Sequence, residues 1–103
     1  MTPAAVAAET GAPGAPVVLD VRTRWEFSRG RVAGAKHIPF WALPFRMSEL
    51  GADRHAPIVV YCELGPRAHM ARAVMRICGF RRVMTLAGHW AAWKRSGLPR
   101  ERG

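Results

Sequence analysis

Val59-Val60-Tyr61-Cys62-Glu63-Leu64-Gly65-Pro66-Arg67 decides how this chain folds. An apolar run ends on a cysteine, a tight loop with glycine and proline follows, and residues 67–78 then carry helical spacing. Residues 58–61 read as a strand. A thiol therefore stands between the C-terminal end of a strand and the N-terminus of a helix. Unpaired backbone N–H groups and the positive end of the helix dipole meet there. That setting favours a thiolate and an anion held beside it. On the helix, Met70, Ala71, Val74, Ile77 and Cys78 fall on one face and Arg72 and Arg76 on the other, and Gly79 closes it.

The flanking sequence alternates strands and short helices. Thr2-Pro3 caps a short helix over 4–9, and the TGAPGAP stretch, 10–16, reads as a flexible linker. Residues 17–21 form a buried strand. Thr23 with Glu26 has capping-box spacing, and Gly30 stops the helix it opens. Residues 35–38 give a brief strand, 45–50 a short helix, 83–86 another short strand and 89–94 a last helix. The expected fold is α/β: a small parallel sheet of four to five strands with helices on both faces. Ligands of such sheets sit at the carboxyl ends of the strands, where Cys62 falls. One domain over 17–99 is expected, after an N-terminal segment 1–16 and before a tail 100–103, with no internal repeat.

The chain has 103 residues and a formal net charge of +9, from 16 basic and 7 acidic residues. Fourteen of the basic residues are arginines, spread along the chain rather than blocked together. The Ala-, Arg- and Gly-rich, Lys-poor composition is that of a GC-rich genome. The charge also attracts anions, but no recognition motif or basic aromatic platform points to nucleic acid. There is no apolar run of about 18 residues to span a membrane and no signal-like start. Cys62 and Cys78 lie at opposite ends of the helix, well over ~15 Å apart at its rise per residue, whereas a disulfide needs Cα atoms within about 7 Å. Two free thiols in a reducing bacterial cytoplasm are expected. His37, His55, His69 and His89 show no metal-ligand spacing with each other or with the cysteines.

Around Cys62, successive loop N–H groups can converge into an anion-binding nest. Gly65 permits a backbone angle other residues resist, and Pro66 stiffens the loop. Glu63 is expected to point to solvent. Arg67 is expected to pair with an oxyanion at the sulfur, to form an ion pair with Asp20 or Glu26, or to do both. Asp20 is expected to pair with Arg22 or Arg67. Trp41, after Pro39, is the pocket candidate among the tryptophans, although Trp90 could also line a substrate mouth. Trp93 and Cys78 are expected in the core and His69 in solvent.

These pieces together resemble a single-domain rhodanese, a sulfurtransferase module. Val18-Leu19-Asp20-Val21-Arg22 resembles the family's opening strand motif. Glu26-Phe27, then Gly30-Arg31-Val32-Ala33-Gly34-Ala35-Lys36-His37-Ile38-Pro39, resembles its second signature. Val60 to Arg67 resembles the active-site loop, and Gly79-Phe80, Val83, Leu86-Ala87-Gly88 and Trp93 resemble the closing segment. The resemblance implies a rhodanese-like fold and a thiosulfate sulfurtransferase activity. Cys62 would be the catalytic thiol carrying a persulfide. Glu63, Leu64, Gly65, Pro66 and Arg67 would bind substrate, with Asp20, Arg22 and Trp41 in support. It implies a small anionic sulfur donor, a thiol, cyanide or protein acceptor, no metal or organic cofactor, and a monomer or homodimer.

Three positions depart from the pattern: Arg31 where the family often has histidine, Ala68 where a hydroxyl residue is common, and His89 where a second glycine is usual. The family's first strand is also expected to be missing, so the sheet would have four strands or recruit one from a partner. A binding or regulatory module on the same fold is the alternative, against which the intact Cys62 argues. Phosphatase or arsenate-reductase chemistry is a more distant one. Cysteine phosphatases place five residues between Cys and Arg, and here four intervene, Glu63 to Pro66.

Overall fold

In the computed structural model, which describes residues 1–51 and 53–103, the sheet is built by two four-residue runs, β1 (Val17–Asp20) and β4 (Ile58–Tyr61). Both lie at its centre. The order is β3-β1-β4-β5, with β3 at Lys36–His37 and β5 at Val83–Thr85, and every pairing is parallel. Val17 pairs with Ile58 and Asp20 with Tyr61, and Ile58 pairs with Val83. The strand-period alternation divides the side chains between two cores. Ile58 and Val60 face one side with Leu19, Ala68, Ala71, Met75 and Phe80. Val59 and Tyr61 face the other with Val6, Leu86, Trp90 and Trp93. A sheet covered on both faces needs apolar residues at every strand position, and all four residues of β4 are buried.

The helices are α1 (Pro3–Glu9), α2 (Arg24–Arg29), α3 (Pro66–Ile77) and α4 (His89–Ser96). Thr2 caps α1, and Thr23 with Glu26 forms the capping box of α2. Val6 of α1 is buried against the α4 side of the sheet. The sheet has four strands among the described residues. Beyond β5, at its edge, the backbone of Met1 hydrogen-bonds to Thr85 and Ala87.

Several local expectations are corrected. The short helix expected over 45–50 is present as 3₁₀ rather than α and is divided in two, Leu43–Phe45 and Met47–Leu50, with Pro44 in the first and Arg46 breaking the run with φ −122°. Residues 100–103 are not simply a tail: β6 (Arg100–Glu101) pairs antiparallel with β2 (Arg31–Val32). Two-residue strands carry too little periodicity to be read from sequence. The apolar face of α3 is also rotated. Its buried residues are Ala68, Ala71 and Met75, while Met70, Ile77 and Cys78 are exposed. Two alanines let the helix lie close on the sheet, and the larger apolar residues flank that contact. Arg72, assigned to the outer face, reaches back to donate to the Val83 carbonyl at 2.9 Å. Trp93 is in the core as expected, with its indole N–H donating to Pro99 O at 2.9 Å.

Candidate active site

Cys62 follows the last residue of β4 and is 1% exposed. The loop from Cys62 to Pro66 turns the chain directly into α3. Gly65 makes this possible: its φ is +137°, a value side-chain-bearing residues rarely adopt. Its N–H donates to Cys62 Sγ at 3.0 Å. The N–H groups of Glu63, Leu64 and Arg67 have no acceptor among the described residues. They remain available to an anion at the sulfur, beside the N-terminus of a 12-residue helix. Leu64 is exposed at the loop tip, and Pro66 is the first residue of α3.

Arg67 forms the ion pair with Glu26 that was one of its expected roles. Its guanidinium grips Glu26 of α2 in a two-pronged pair, at 2.6 and 3.0 Å. The Arg67 hydrogen bonds, aided by those of Thr23, pull the Glu26 carboxyl down to about 2. The Arg67 pKa is raised, first by Glu26 and also by the nearby Cys62. Asp20 and Arg22 form the buried pair expected of them, with Arg22 Nη2 at 2.8 Å from Asp20 and the Arg22 backbone N–H also donating to it at 2.9 Å. Burial opposes the charge on Arg22, but Asp20 outweighs it and the pKa is raised. Arg22 also stacks over Trp90, 5.0 Å from the ring centroid.

Two expectations fail here. Glu63 does not point away to solvent: it is only partly exposed and faces Arg22 Nη1 at 3.6 Å. Arg22 is buried beneath it and draws it in. Trp41 is 67% exposed and lines neither the cleft beside Glu63 nor the one between Phe27, His37 and Arg46. Trp25 and Trp90 instead form walls of a cleft of about 420 Å³ that reaches Glu63, the chain neighbour of Cys62. Arg29, Lys94, Arg100 and Arg102 line it too, and none of them has a carboxylate partner among the described residues. Cys62 itself does not line this cleft. Arg100 and Arg102 arrive there through the β2–β6 pairing, a contact between distant segments with no local sequence signal.

The N-terminus of α4 meets the same loop. The N–H groups of Trp90 and Ala91 donate to the carbonyls of Cys62 and Glu63, at 3.0 and 3.4 Å. The Cys62 N–H donates to Nδ1 of His89, at 3.3 Å. His89 is buried, and burial followed by the neighbouring His69 lowers its pKa. His69 is exposed, as expected, and its ring meets that of His89 edge-on at 5.9 Å. Arg31 departs from the family pattern without disturbing the loop: it stacks on Phe27 and pairs with Glu101. Among the described residues, no three His, Cys, Asp or Glu side chains converge as metal ligands, and no helix is long and apolar enough to cross a membrane.

Comparison with known proteins agrees with this geometry. The family model described as a rhodanese-like domain matches residues 2–96. A sulfurtransferase of Allochromatium vinosum is 39% identical over 83 residues, 81% of this chain and 76% of its own length. The thiosulfate sulfurtransferase GlpE of Stutzerimonas stutzeri is 30% identical, with 76% of this chain and 70% of that protein covered. Among solved structures, the Alr3790 protein from Anabaena sp. superposes with a TM-score of 0.87 at 30% identity, over 100% of this chain and 82% of that one. With strand order, loop and sequence in agreement, the chain belongs to the rhodanese-like domain family.

Proposed function

We propose that the protein is a thiosulfate-type sulfurtransferase that carries sulfane sulfur as a persulfide on Cys62. One observation carries the reading: Cys62 Sγ accepts the Gly65 N–H inside a loop whose Glu63, Leu64 and Arg67 amides have no acceptor among the described residues, at the N-terminus of α3. The thiolate attacks the outer sulfur of thiosulfate. The new S–S bond forms as the old one breaks, and its electron pair leaves with sulfite. The persulfide anion then occupies the loop, where amide donors stabilise its charge. An acceptor nucleophile, such as cyanide or a thiol, attacks the outer sulfur and regenerates the Cys62 thiolate. This is a two-step covalent cycle in which no electrons are gained or lost overall.

Other residues have derived roles in this reading. Gly65 and Pro66 fix the loop, and Leu64 shapes its rim. Arg67, held by Glu26, contributes a fixed positive charge near the sulfur rather than a free oxyanion clamp. Asp20 holds Arg22, which in turn places Glu63 at the edge of the basic cleft. The cleft cations attract an anionic donor or acceptor to that side of the loop.

The test is an intact mass spectrum of the reduced protein after incubation with thiosulfate. A gain of one sulfur atom is expected, reversed by dithiothreitol, abolished by Cys62→Ser and kept by Cys78→Ser, which removes the exposed second thiol. An adduct that survives in Cys62→Ser, or none in the folded native protein with thiosulfate or mercaptopyruvate, overturns the reading.

A further inference from the structure

We propose that His89 is a positioning residue for Cys62, its imidazole accepting the Cys62 backbone N–H and fixing the backbone from which the thiol projects. Among the described residues, His89 alone outside the glycines has positive φ, at +55°. Gly88 before it is also left-handed at +72°, and a Cβ there would lie 2.5 Å from Ala92 Cβ. Two consecutive left-handed residues thus turn the chain from the end of β5 into α4. Glycine adopts this conformation at no steric cost, and a side chain does not. A histidine at position 89 must therefore supply something that glycine lacks.

The contacts show what it supplies. The left-handed turn swings the imidazole under the cysteine loop, where Nδ1 receives the Cys62 N–H at 3.3 Å. One residue later, the Trp90 N–H donates to the Cys62 carbonyl at 3.0 Å. The start of α4 therefore holds Cys62 at both its peptide groups, once through a side chain and once through the main chain. The other edge of the ring lies against Gly65, whose N–H is the donor to the sulfur: a Cβ at Gly65 would stand 3.2 Å from His89 Nε2. To accept at Nδ1 the imidazole must be neutral with its proton on Nε2. Burial favours that form, and the titratable neighbours are His69, edge-on, and Cys62.

This role rests on Cys62 being the sulfur-bearing residue, but its test separates the two. His89→Gly removes the acceptor and relieves the left-handed strain, so the variant folds. His89→Asn keeps both a side-chain acceptor and tolerance of left-handed backbone. Hydrogen exchange of the residue 62 amide and the rate of sulfur loading from thiosulfate are then measured. In His89→Gly the amide is expected to exchange about fivefold faster and loading to slow about fivefold, the scale of one neutral hydrogen bond. His89→Asn should recover most of both. Native exchange in His89→Gly overturns the contact, and faster exchange with native loading overturns the positioning role. A native protein that takes up no sulfur is a failure of the sulfurtransferase reading alone, since the exchange measurement needs no donor.

Discussion

Glu26 closes the capping box of α2 and at the same time holds Arg67, 41 residues away in sequence, at the start of α3. The Arg67 hydrogen bonds lower its carboxyl from 4.5 to about 2, so the folded protein binds that proton more weakly than the unfolded chain. The resulting stability is fully present above the unfolded value of 4.5 and is lost as pH falls to about 2. Glu26→Gln should therefore lower the melting temperature at pH 7. The deficit should shrink below pH 4.5 and vanish near pH 2, where thermal melts of the two proteins converge. A deficit unchanged across that range would show that the charge on Glu26 contributes nothing. Gly65 is the second decisive residue. Gly65→Ala forces a side chain to φ +137° and onto the His89 ring. A loss of about 1–3 kcal/mol in urea titration is expected, with sulfur loading slowed by displacement of the amide that meets Cys62 Sγ.

The sequence places the start of α3 at 67, one residue after Pro66, which takes the first helical position because proline fits there. The rotation of α3 about its axis is not plain in sequence. Helical spacing put Met70, Ala71, Val74, Ile77 and Cys78 on the inner face, yet Met70, Ile77 and Cys78 lie outside. The stripe with alanines at 68 and 71 won because a helix packs closest where its side chains are small, with Met75 filling the remaining space. Met75→Ala should cost about 2–5 kcal/mol of unfolding free energy. Ile77→Ala, at a position 85% exposed, should stay within about 0.5 kcal/mol. Chemical denaturation of the pair decides the orientation: equal losses would refute it. At α4 the signal was visible but ambiguous, since Gly88-His89 could be seen to depart from a glycine pair without showing where the imidazole goes.

At the scale of the whole molecule, β6 brings Arg100 and Arg102 to the cleft that Arg29 and Lys94 also line. If the cleft guides anions to the loop, kcat/KM for thiosulfate should fall as salt rises, since charges are screened over about 8–10 Å at physiological ionic strength. Replacing Arg100 and Arg102 by glutamine should lower that rate at low salt and flatten its salt dependence, with kcat little changed. An unaltered slope would assign the attraction elsewhere. By itself the sequence determined the parallel α/β sheet, the place of Cys62 at a strand end, the capped start of α2 and the glycine-proline turn into α3. Each of these follows from short-range periodicity, caps and turn chemistry, written within a few adjacent residues. Only the tertiary structure decided that Arg67 pairs with Glu26, that Glu63 turns to Arg22, that Trp25 and Trp90 rather than Trp41 wall the cleft, and that His89 reaches Cys62 from 27 residues away. Those choices are made between groups that the fold alone brings within hydrogen-bonding or ion-pairing distance, where burial and the geometry of the available partners select among contacts that the local sequence permits equally.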